Sequence, residues 1–357
     1  MSVFDSASFD HHELVSFHDD PATGLRAIIA VHNSRLGPAL GGCRMFPYST
    51  SEQALEDVLR LSRGMTYKSA LAGLPLGGGK SVIIGDPHKQ KTPDLMRAMG
   101  EFIDSLGGRY IGAEDSGTGV ADIRYMAEKT NHVSGITAGR PFGGDPSPYT
   151  AMGVFYGIQA AVSHRLGSND LSGLRVAVQG AGSVGRHLIE RLVEAGAQVF
   201  FADVNADNCA RAKALGAEAV AVDQVLSMDV DVLAPCAMGG AINAETLASI
   251  KAPVIAGAAN NQLASPELAE GLRHRDILYA PDFVINAGGI VDVYYQREGR
   301  PASDSEAHIR RIGGVLTDVF ERAGREELPT SVVAERMAEE LFRGQGSAPG
   351  QSLRAAI

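Results

Sequence analysis

The sequence predicts an α/β protein of two domains, and three observations lead to this class. The chain has 357 residues, and single hydrophobic cores stop growing near ~250 to 300 residues. It contains 42 glycines but only 21% charged residues, which indicates many tight turns around a buried sheet. Its second half alternates short apolar runs with helical segments, as in a parallel sheet with crossover helices.

The first half carries strand and helix signals in turn. A capped amphipathic helix is expected from Ser51, and Thr92-Pro93 gives a second helix an N-cap followed by a proline in its first turn. The predicted elements are strands over 25–31, 81–85 and 109–115, and helices over 51–63 and 92–106, with a Pro/Gly interruption over 38–44.

The Gly/Pro-rich stretch 139–148 is the expected domain boundary. We expect a first domain over 1–138, joined by a C-terminal helix at about 326–357, and a second domain over 139–325. In the second half the expected elements are a helix over 150–164, strands over 174–179, 198–202, 219–222, 230–234, 254–257 and 277–280, and helices over 305–322 and 331–342.

Composition argues against several classes of protein. A formal net charge of −10 and a pI near 5.5 disfavour nucleic acid or an anionic membrane as the main partner. The N-terminal residues show no signal-peptide pattern, and no apolar run reaches the ~18 residues of a membrane span, so we expect a cytoplasmic protein. Cys43, Cys209 and Cys236 lie far apart, so we expect reduced thiols without a zinc site, and no metal.

The run Gly77-Gly-Gly-Lys80 places a lysine directly after three glycines and twelve residues after Lys68. Glycines let a substrate approach the backbone closely, and burial would lower the pKa of such a lysine toward the range of a general base. Two other interpretations stay open at this point. One is a phosphate-binding P-loop, although Leu74 stands where that pattern needs glycine; the other is a surface lysine after a flexible turn.

A dinucleotide-binding pattern follows the predicted strand 174–179. It consists of Gly180, Ala181, Gly182, Ser183, Val184 and Gly185 and runs into a helical segment. Its glycines provide a tight turn, close approach to a pyrophosphate and close helix packing. Asp203, 23 residues after Gly180, is expected to bind the adenosine ribose, and no arginine follows at Val204 or Asn205, so NAD is favoured over NADP.

Taken together, the motifs resemble those of the glutamate, leucine, phenylalanine and valine dehydrogenase family, and most of all its leucine-type members. The motifs run in the family's order from about residue 25 to residue 290: Gly41-Gly-Cys-Arg44, Gly64-Met-Thr-Tyr-Lys68, Leu76-Gly-Gly-Gly-Lys80, Ala113-Glu-Asp115-Ser-Gly-Thr, Gly144-Asp-Pro-Ser-Pro148, Ala234-Pro-Cys-Ala-Met-Gly-Gly240, Gly257-Ala-Ala-Asn-Asn261-Gln and Tyr279-Ala-Pro-Asp-Phe-Val-Ile-Asn-Ala-Gly-Gly289. The resemblance implies an N-terminal α/β substrate domain, a C-terminal Rossmann NAD-binding domain, a cleft between them and a homo-oligomer.

The resemblance also implies site residues. Lys68 would hold the substrate carboxylate, Lys80 would be the catalytic lysine, and Asp115 would handle protons. The remaining expected contacts fall into two groups. Leu40, Gly41, Met65, Ala113, Asn261 and Val291 would contact the substrate, and Ser147, Thr150 and Asn261 would contact the nicotinamide.

The implied reaction converts an L-amino acid to a 2-oxo acid and ammonia, with a neutral Lys80 as the base that activates water. Glutamate-specific relatives carry a lysine where this chain has Leu40, so we expect an aliphatic substrate of the leucine, valine or isoleucine type. A phenylalanine-type substrate stays open, and Tyr294 departs from the small apolar residues usual in leucine-type pockets. A hydroxy-acid dehydrogenase would need a catalytic histidine in these motifs, and a non-catalytic NAD-binding protein would be expected to lack Lys80 or Asp115.

Overall fold

The computed structural model describes residues 3–136, 145–237 and 239–344. By its contacts the chain divides into two compact units. The first unit comprises Met1–Asp145, Val293–Ala302 and Ala338–Ile357, and the second comprises Pro146–Asp292 and Ser303–Met337. The boundary predicted between residues 138 and 139 falls outside the described residues. Among the helices of the described residues, none combines the length and the apolar character that crossing a membrane requires.

The first unit is built on a mixed five-stranded sheet. Its strands are β1 (Leu14–Asp20), β2 (Leu25–Asn33), β3 (Ala39–Phe46), β4 (Gly77–Ile84) and β5 (Tyr110–Glu114), and its helices are α1 (Ser51–Leu71), α2 (Pro93–Asp104) and α3 (Val120–Ala127). The strand order is β1-β2-β4-β3-β5. Because β4 is central, it pairs with β2 antiparallel and with β3 parallel, while β3 also pairs with β5 in parallel.

Helices cover both faces of this sheet. On one face, α1 buries Val58 and Leu59 against Ile28 and Val82 of the strands. On the other face, α2 and α3 pack against the alternate strand residues, as the two-residue side-chain period of a strand requires. The helix α1 comes so close to β4 that a methyl group on Gly78 would lie 2.0 Å from the backbone nitrogen of Thr66.

Several predicted elements of this unit needed correction. The Pro/Gly interruption predicted over 38–44 is wrong, because Ala39–Phe46 is a strand, and β1 was not predicted. The strand predicted from Ser81 begins at Gly77, and α1 continues to Leu71. The predicted α2 cap is confirmed, since the Thr92 hydroxyl accepts from the N–H of Leu95. In α1 the N-cap is Thr50, one residue earlier than predicted.

The last helix of the described residues holds the end of α1. This helix, α13 (Thr330–Arg343), stacks Phe342 on Tyr67 at 5.7 Å between ring centres. Glu339 accepts a hydrogen bond of 2.8 Å from the Tyr67 hydroxyl. Glu339 and Phe342 both belong to the first unit. Since Tyr67 precedes Lys68, these contacts fix the helical turn that presents Lys68.

The second unit contains a six-stranded parallel sheet of dinucleotide-binding topology. Its strands are β6 (Arg175–Gln179), β7 (Gln198–Ala202), β8 (Glu218–Ala219), β9 (Val232–Pro235), β10 (Val254–Ile255) and β11 (Leu278–Tyr279). The order β11-β10-β9-β6-β7-β8 reverses direction between β6 and β9, which is the position where this topology binds a ligand. The predicted α/β class is therefore confirmed.

The helices of this part of the chain precede, connect and follow these strands. In chain order they are α4 (Ser147–Leu166), α5 (Ser183–Glu194), α6 (Ala206–Ala214), α7 (Ala244–Ser249), α8 (Leu268–His274), α9 (Asp282–Ile285), α10 (Gly288–Arg297), α11 (Ala302–Ile309) and α12 (Ile312–Glu326). The single helix predicted over 305–322 is two helices, since α11 ends at Ile309 and α12 starts at Ile312. All six predicted strands are present, with bounds that differ by up to three residues.

Candidate active site

The first unit brings Lys80 and Asp115 together. Lys80 lies within β4, and Asp115 is the first residue after β5, two strands away across the sheet. The Lys80 Nζ and the Asp115 Oδ2 are 2.5 Å apart. Their side chains are only 9% and 17% exposed, so the ion pair is largely removed from water. A buried pair of this kind is held by close geometry, because each ion alone would cost several kcal/mol to desolvate.

Gly42 of β3 leaves the space that this ion pair occupies. A methyl group at Gly42 would lie 2.7 Å from Cβ of Asp115 and 3.1 Å from Nζ of Lys80. It would also lie 2.7 Å from the carbonyl oxygen of Glu114. The strand between the lysine and the aspartate therefore has to lack a side chain at this position for the two groups to meet.

Asp115 is held as a carboxylate by two cations. Burial by itself would raise its pKa, but Lys80 and then Arg44 lower the pKa below its usual value. The Arg44 Nε is 3.4 Å from the same Oδ2 atom that Lys80 contacts. The aspartate is therefore ionised at neutral and alkaline pH.

The turn after β5 fixes the backbone of Asp115. The Thr118 hydroxyl accepts from the Asp115 N–H at 3.1 Å and donates to the carbonyl of Cys43 in β3 at 2.7 Å. Further along, the Lys91 ammonium donates to the carbonyl of Gly117 and pairs with Asp122. These contacts tie the carboxylate to β3, independently of the ion pair.

The expected substrate residues of the first unit lie on β3, β5 and α1. Leu40 and Gly42 are two residues apart on β3, and Gly42 pairs in register with Ala113 of β5, so Leu40 and Ala113 share the sheet face of Gly42 and its neighbour Lys80. Leu40 is 2% exposed and Ala113 7%. Two further residues are Gly41, which is the neighbour of Leu40, and Tyr294. Gly41 is buried in β3, and Tyr294 is half-buried in α10.

Met65 and Lys68 are partly exposed and lie one turn apart on α1, the helix that covers this face. The sheet face and its covering helix thus combine an ion pair, apolar side chains and a second lysine.

The expected residues of the second unit lie on α4, on α10 and in the turn that contains Asn261. Ser147 begins α4, and the Thr150 hydroxyl donates to the carbonyl of Pro146 at 3.0 Å. Asn261 is exposed and adopts a left-handed backbone with φ of 52°, a conformation that asparagine tolerates better than most residues. Val291 is completely buried in α10.

The glycine turn after β6 has the shape that a dinucleotide needs. Gly180 has φ of 93°, which favours glycine, and a methyl group at Gly185 would lie 2.0 Å from the carbonyl oxygen of Gly180. At Gly182, by contrast, a methyl group would meet no heavy atom within 4 Å. Gly182 is the N-cap of α5 and brings no side chain to cap it, so the positive end of this helix is suited to a pyrophosphate.

Asp203 directly follows β7 and is bound to this turn. Its Oδ2 accepts from the N–H of Ala181 at 2.7 Å, and its Oδ1 accepts from the N–H of Asn205 at 2.8 Å. The Asn208 side-chain amide donates a third bond of 3.2 Å to Oδ2. A carboxylate can accept about four hydrogen bonds, so capacity for one ribose hydroxyl remains. Val204 beside it is 90% exposed. These residues fit an adenosine dinucleotide.

Sequence reasoning gave no role to Arg44, Asp57, Tyr48 or Thr118. Arg44 was noted only as the end of the Gly41-Gly-Cys-Arg44 motif. Once residues 39–46 are known to be a strand, the two-residue period places Arg44 on the face of Gly42. A strand prediction for this segment would have been the available signal.

A dinucleotide turn in one unit and a buried lysine–carboxylate pair in the other are features of a dehydrogenase. Residues 11–132 match the family model described as "Glu/Leu/Phe/Val dehydrogenase, dimerisation domain". Residues 145–207 and 202–300 match the model "Glutamate/Leucine/Phenylalanine/Valine dehydrogenase". The chain belongs to this family. It is an amino-acid dehydrogenase, an oxidoreductase that deaminates an amino acid oxidatively.

Relatives with different named substrates match almost the whole chain. Leucine dehydrogenase of Geobacillus stearothermophilus is 48% identical over 341 residues, covering 95% of this chain and 93% of the relative. Phenylalanine dehydrogenase of Bacillus thermotolerans is 44% identical, covering 97% and 92%. The crystal structure of L-tryptophan dehydrogenase from Nostoc punctiforme superposes with a TM-score of 0.81 at 42% identity, covering 94% and 96%.

Substitution of Gly42 by alanine should disrupt the ion pair. The new methyl group would push Asp115 and Lys80 apart, and a displacement of about 1 Å can cost on the order of 10²-fold in turnover. Amino-acid oxidation, followed by absorbance of the reduced nicotinamide, measures the loss. The matched control is Gly314→Ala in α12, where a methyl group meets no atom within 4 Å. Near-normal turnover in Gly42→Ala would contradict the assigned role of this glycine.

Proposed function

We propose that this enzyme catalyses the reversible, NAD-dependent oxidative deamination of an aliphatic L-amino acid of the leucine, valine or isoleucine type. The products are the corresponding 2-oxo acid and ammonia. The observation that carries the proposal is the buried ion pair of Lys80 and Asp115 on a sheet face that also presents the apolar Leu40 and Ala113. Leucine dehydrogenases with 43–48% identity over at least 95% of the chain support the same substrate class.

The proposed chemistry assigns one task to each charged group. Lys68 binds the substrate carboxylate. NAD supplies the acceptor for the hydride from the substrate α-carbon. Water must then add to the resulting imine, and Lys80 takes the proton from that water as a general base. Asp115, in contact with Lys80, passes protons as the carbinolamine releases ammonia.

Leu40 and Ala113 support an apolar side-chain site. Neither residue offers a charge or a hydrogen-bond donor to a substrate carboxylate, and burying an unpaired carboxylate beside them would cost several kcal/mol. Met65, Gly41 and Val291 are proposed to contact the same side chain. Asn261 is proposed to contact both the substrate and the nicotinamide, and Ser147 and Thr150 the nicotinamide alone.

A second candidate is an aromatic amino acid. Relatives named phenylalanine and L-tryptophan dehydrogenase are 44% and 42% identical to this chain, within or just below the 43–48% of the leucine dehydrogenases. One methylene group in an apolar pocket changes selectivity by only ~1 to 3 kcal/mol, so a small change in pocket shape is enough to change the preferred substrate.

We also propose a homo-oligomer assembled through the first unit. The family model that matches residues 11–132 is described as a dimerisation domain. These residues contain every strand of the first sheet.

A panel of L-amino acids tests the function directly. With NAD at alkaline pH, formation of NADH should be fastest with leucine, valine or isoleucine and absent with 2-hydroxy acids. Lys80→Ala should lose on the order of 10²-fold to 10⁴-fold in turnover, with NADH binding nearly unchanged because the dinucleotide turn is in the other unit. A variant that keeps more than about a tenth of the wild-type rate would refute the role of Lys80 as base.

Substitution of Leu40 by lysine tests the apolar pocket. An ammonium there is unpaired with an aliphatic substrate but gains a charge-assisted partner of about 1.5 to 3 kcal/mol with glutamate. We expect kcat/KM to fall for leucine and to rise for glutamate, with Leu40→Met as the control that keeps the position apolar. Circular dichroism checks the fold. An unchanged kcat/KM for leucine would show that Leu40 does not contact the substrate.

Cofactor choice is proposed to depend on Asp203. The double substitution Asp203→Ser with Val204→Arg removes a carboxylate that repels a 2′-phosphate and adds a cation at an exposed position. We expect the ratio of NADP to NAD efficiency to rise. Val204→Arg alone is the control, because it keeps the Asp203 contact with Ala181 and should change the ratio less. A wild-type ratio near one would contradict the assignment.

A further inference from the structure

Arg44 lies between two carboxylates, one of which belongs to the ion pair. Its Nη1 donates to Oδ2 of Asp57 at 2.8 Å, while its Nε is 3.4 Å from Oδ2 of Asp115. The Arg44 side chain is 20% exposed, and the two aspartates are 16% and 17% exposed. Four alternating charges therefore form a continuous row in the order Asp57, Arg44, Asp115 and Lys80.

The far end of this row is firmly held. The Asp57 Oδ2 accepts a second hydrogen bond of 2.7 Å from the Tyr48 hydroxyl, and its Oδ1 pairs with Arg60 at 2.9 Å. Burial by itself raises the pKa of Asp57, but Tyr48, Arg44 and Arg60 lower it below the usual value. Asp57 is therefore an anion that holds the Arg44 guanidinium.

The two cations beside Asp115 differ in one chemical property. A lysine amine can lose its proton, whereas an arginine guanidinium in a protein does not. When Lys80 is neutral, Asp115 loses one of its two cationic partners. Arg44 is then the cation that remains in contact with the carboxylate.

We propose that Arg44 is a positioning residue whose permanent charge, anchored by Asp57, keeps Asp115 ionised and in place while Lys80 gains and loses its proton. This inference rests on the proposed function, because it takes the proton-transfer roles of Lys80 and Asp115 from there. Arg44 itself exchanges no proton with the substrate. It acts through Asp115.

Other titratable groups lie near the row, although Cys43 and Tyr110 belong to the opposite face of the sheet. On the β3 side, burial raises the pKa of the Cys43 thiol to about 12, and burial and Asp57 raise the pKa of Tyr48 well above its usual value. Burial, together with Asp145 and Asp115, raises the pKa of Glu114.

Tyr110, the pair of Asp122 with Lys91, and Lys68 lie further from the row. Burial raises the pKa of Tyr110 well above its usual value. Asp122 is paired with Lys91, and Lys68 lies about three turns further along α1 than Asp57. Because their pKa values are raised, Cys43, Tyr48 and Tyr110 stay neutral over most of the alkaline range. The charge of Arg44 beside Asp115 also stays constant over this range.

Two neutralising substitutions should have opposite effects on the pH profile of kcat/KM. Arg44→Gln removes a positive charge, which favours the protonated forms of Lys80 and Asp115, so the rising limb should move to higher pH by about one unit. Asp57→Asn removes a negative charge, so the limb should move to lower pH. Arg44→Lys keeps the charge and should restore most of the wild-type profile.

The measurements use the best substrate of the amino-acid panel, with circular dichroism and NADH binding as checks of both units. A purely structural role of Arg44 would lower the rate of Arg44→Gln and Arg44→Lys alike without moving the profile, and this result would overturn the inference. Profiles that move in the same direction in Arg44→Gln and Asp57→Asn would do so as well.

A readout without turnover separates this inference from the proposed function. The pH dependence of acetylation of Lys80 by acetic anhydride, located by mass spectrometry with Lys80→Ala as the blank, reports its deprotonation in the free enzyme. The electrostatic coupling is supported if the acetylation curve of Lys80 moves to higher pH in Arg44→Gln and to lower pH in Asp57→Asn. If the curves move in this way but no amino acid is oxidised, the proposed function alone fails. Identical acetylation curves in all variants overturn the coupling.

Discussion

The buried ion pair of Lys80 and Asp115 is the constraint on which the first unit depends. Two ions that are 9% and 17% exposed must face each other across an intervening strand at 2.5 Å, because either charge alone would be costly to bury. That requirement explains three features together: a missing side chain at Gly42, a second cation at Arg44, and a turn clamped to β3 by Thr118. The apolar core of α1 and the sheet supplies the rigid frame.

In the second unit, too, a carboxylate at the end of a strand fixes a neighbouring part of the site. Its glycine turn must let a phosphate approach the start of α5, and Asp203 from the neighbouring strand end binds the turn through Ala181. The same carboxylate is proposed to select the cofactor, so one side chain would both hold the turn and bind the ribose. A change of cofactor preference at this position therefore also changes the support of the turn.

The sequence allowed the second unit to be predicted better than the first. Short apolar runs separated by helices give each parallel strand its own signal, and β7 was predicted with its observed bounds. In the first unit, β3 and the start of β4 were missed because glycine has low strand propensity and reads as a turn. The pairing of Lys80 with Asp115 follows from strand order, which periodicity does not reveal. Arg44 and Asp57 become meaningful only when α1 places Asp57, 13 positions away, beside Arg44, and the sheet brings Asp115 to its other side.

The glycine run of β4 has a consequence for how this sequence can diverge. A side chain at Gly77, Gly78 or Gly79 would meet, respectively, the carbonyl of Asn33 at 2.2 Å, the backbone of Thr66 at 2.0 Å and the ring of Tyr110 at 2.7 Å. Two of these obstacles are main-chain atoms, which remain in place whatever side chains positions 33 and 66 carry. Glycine is therefore required at three successive positions, and a different neighbour excludes a side chain at each of them. The glycines before Lys80 are required by the close approach of the surrounding chain, because glycine has a low intrinsic preference for strands.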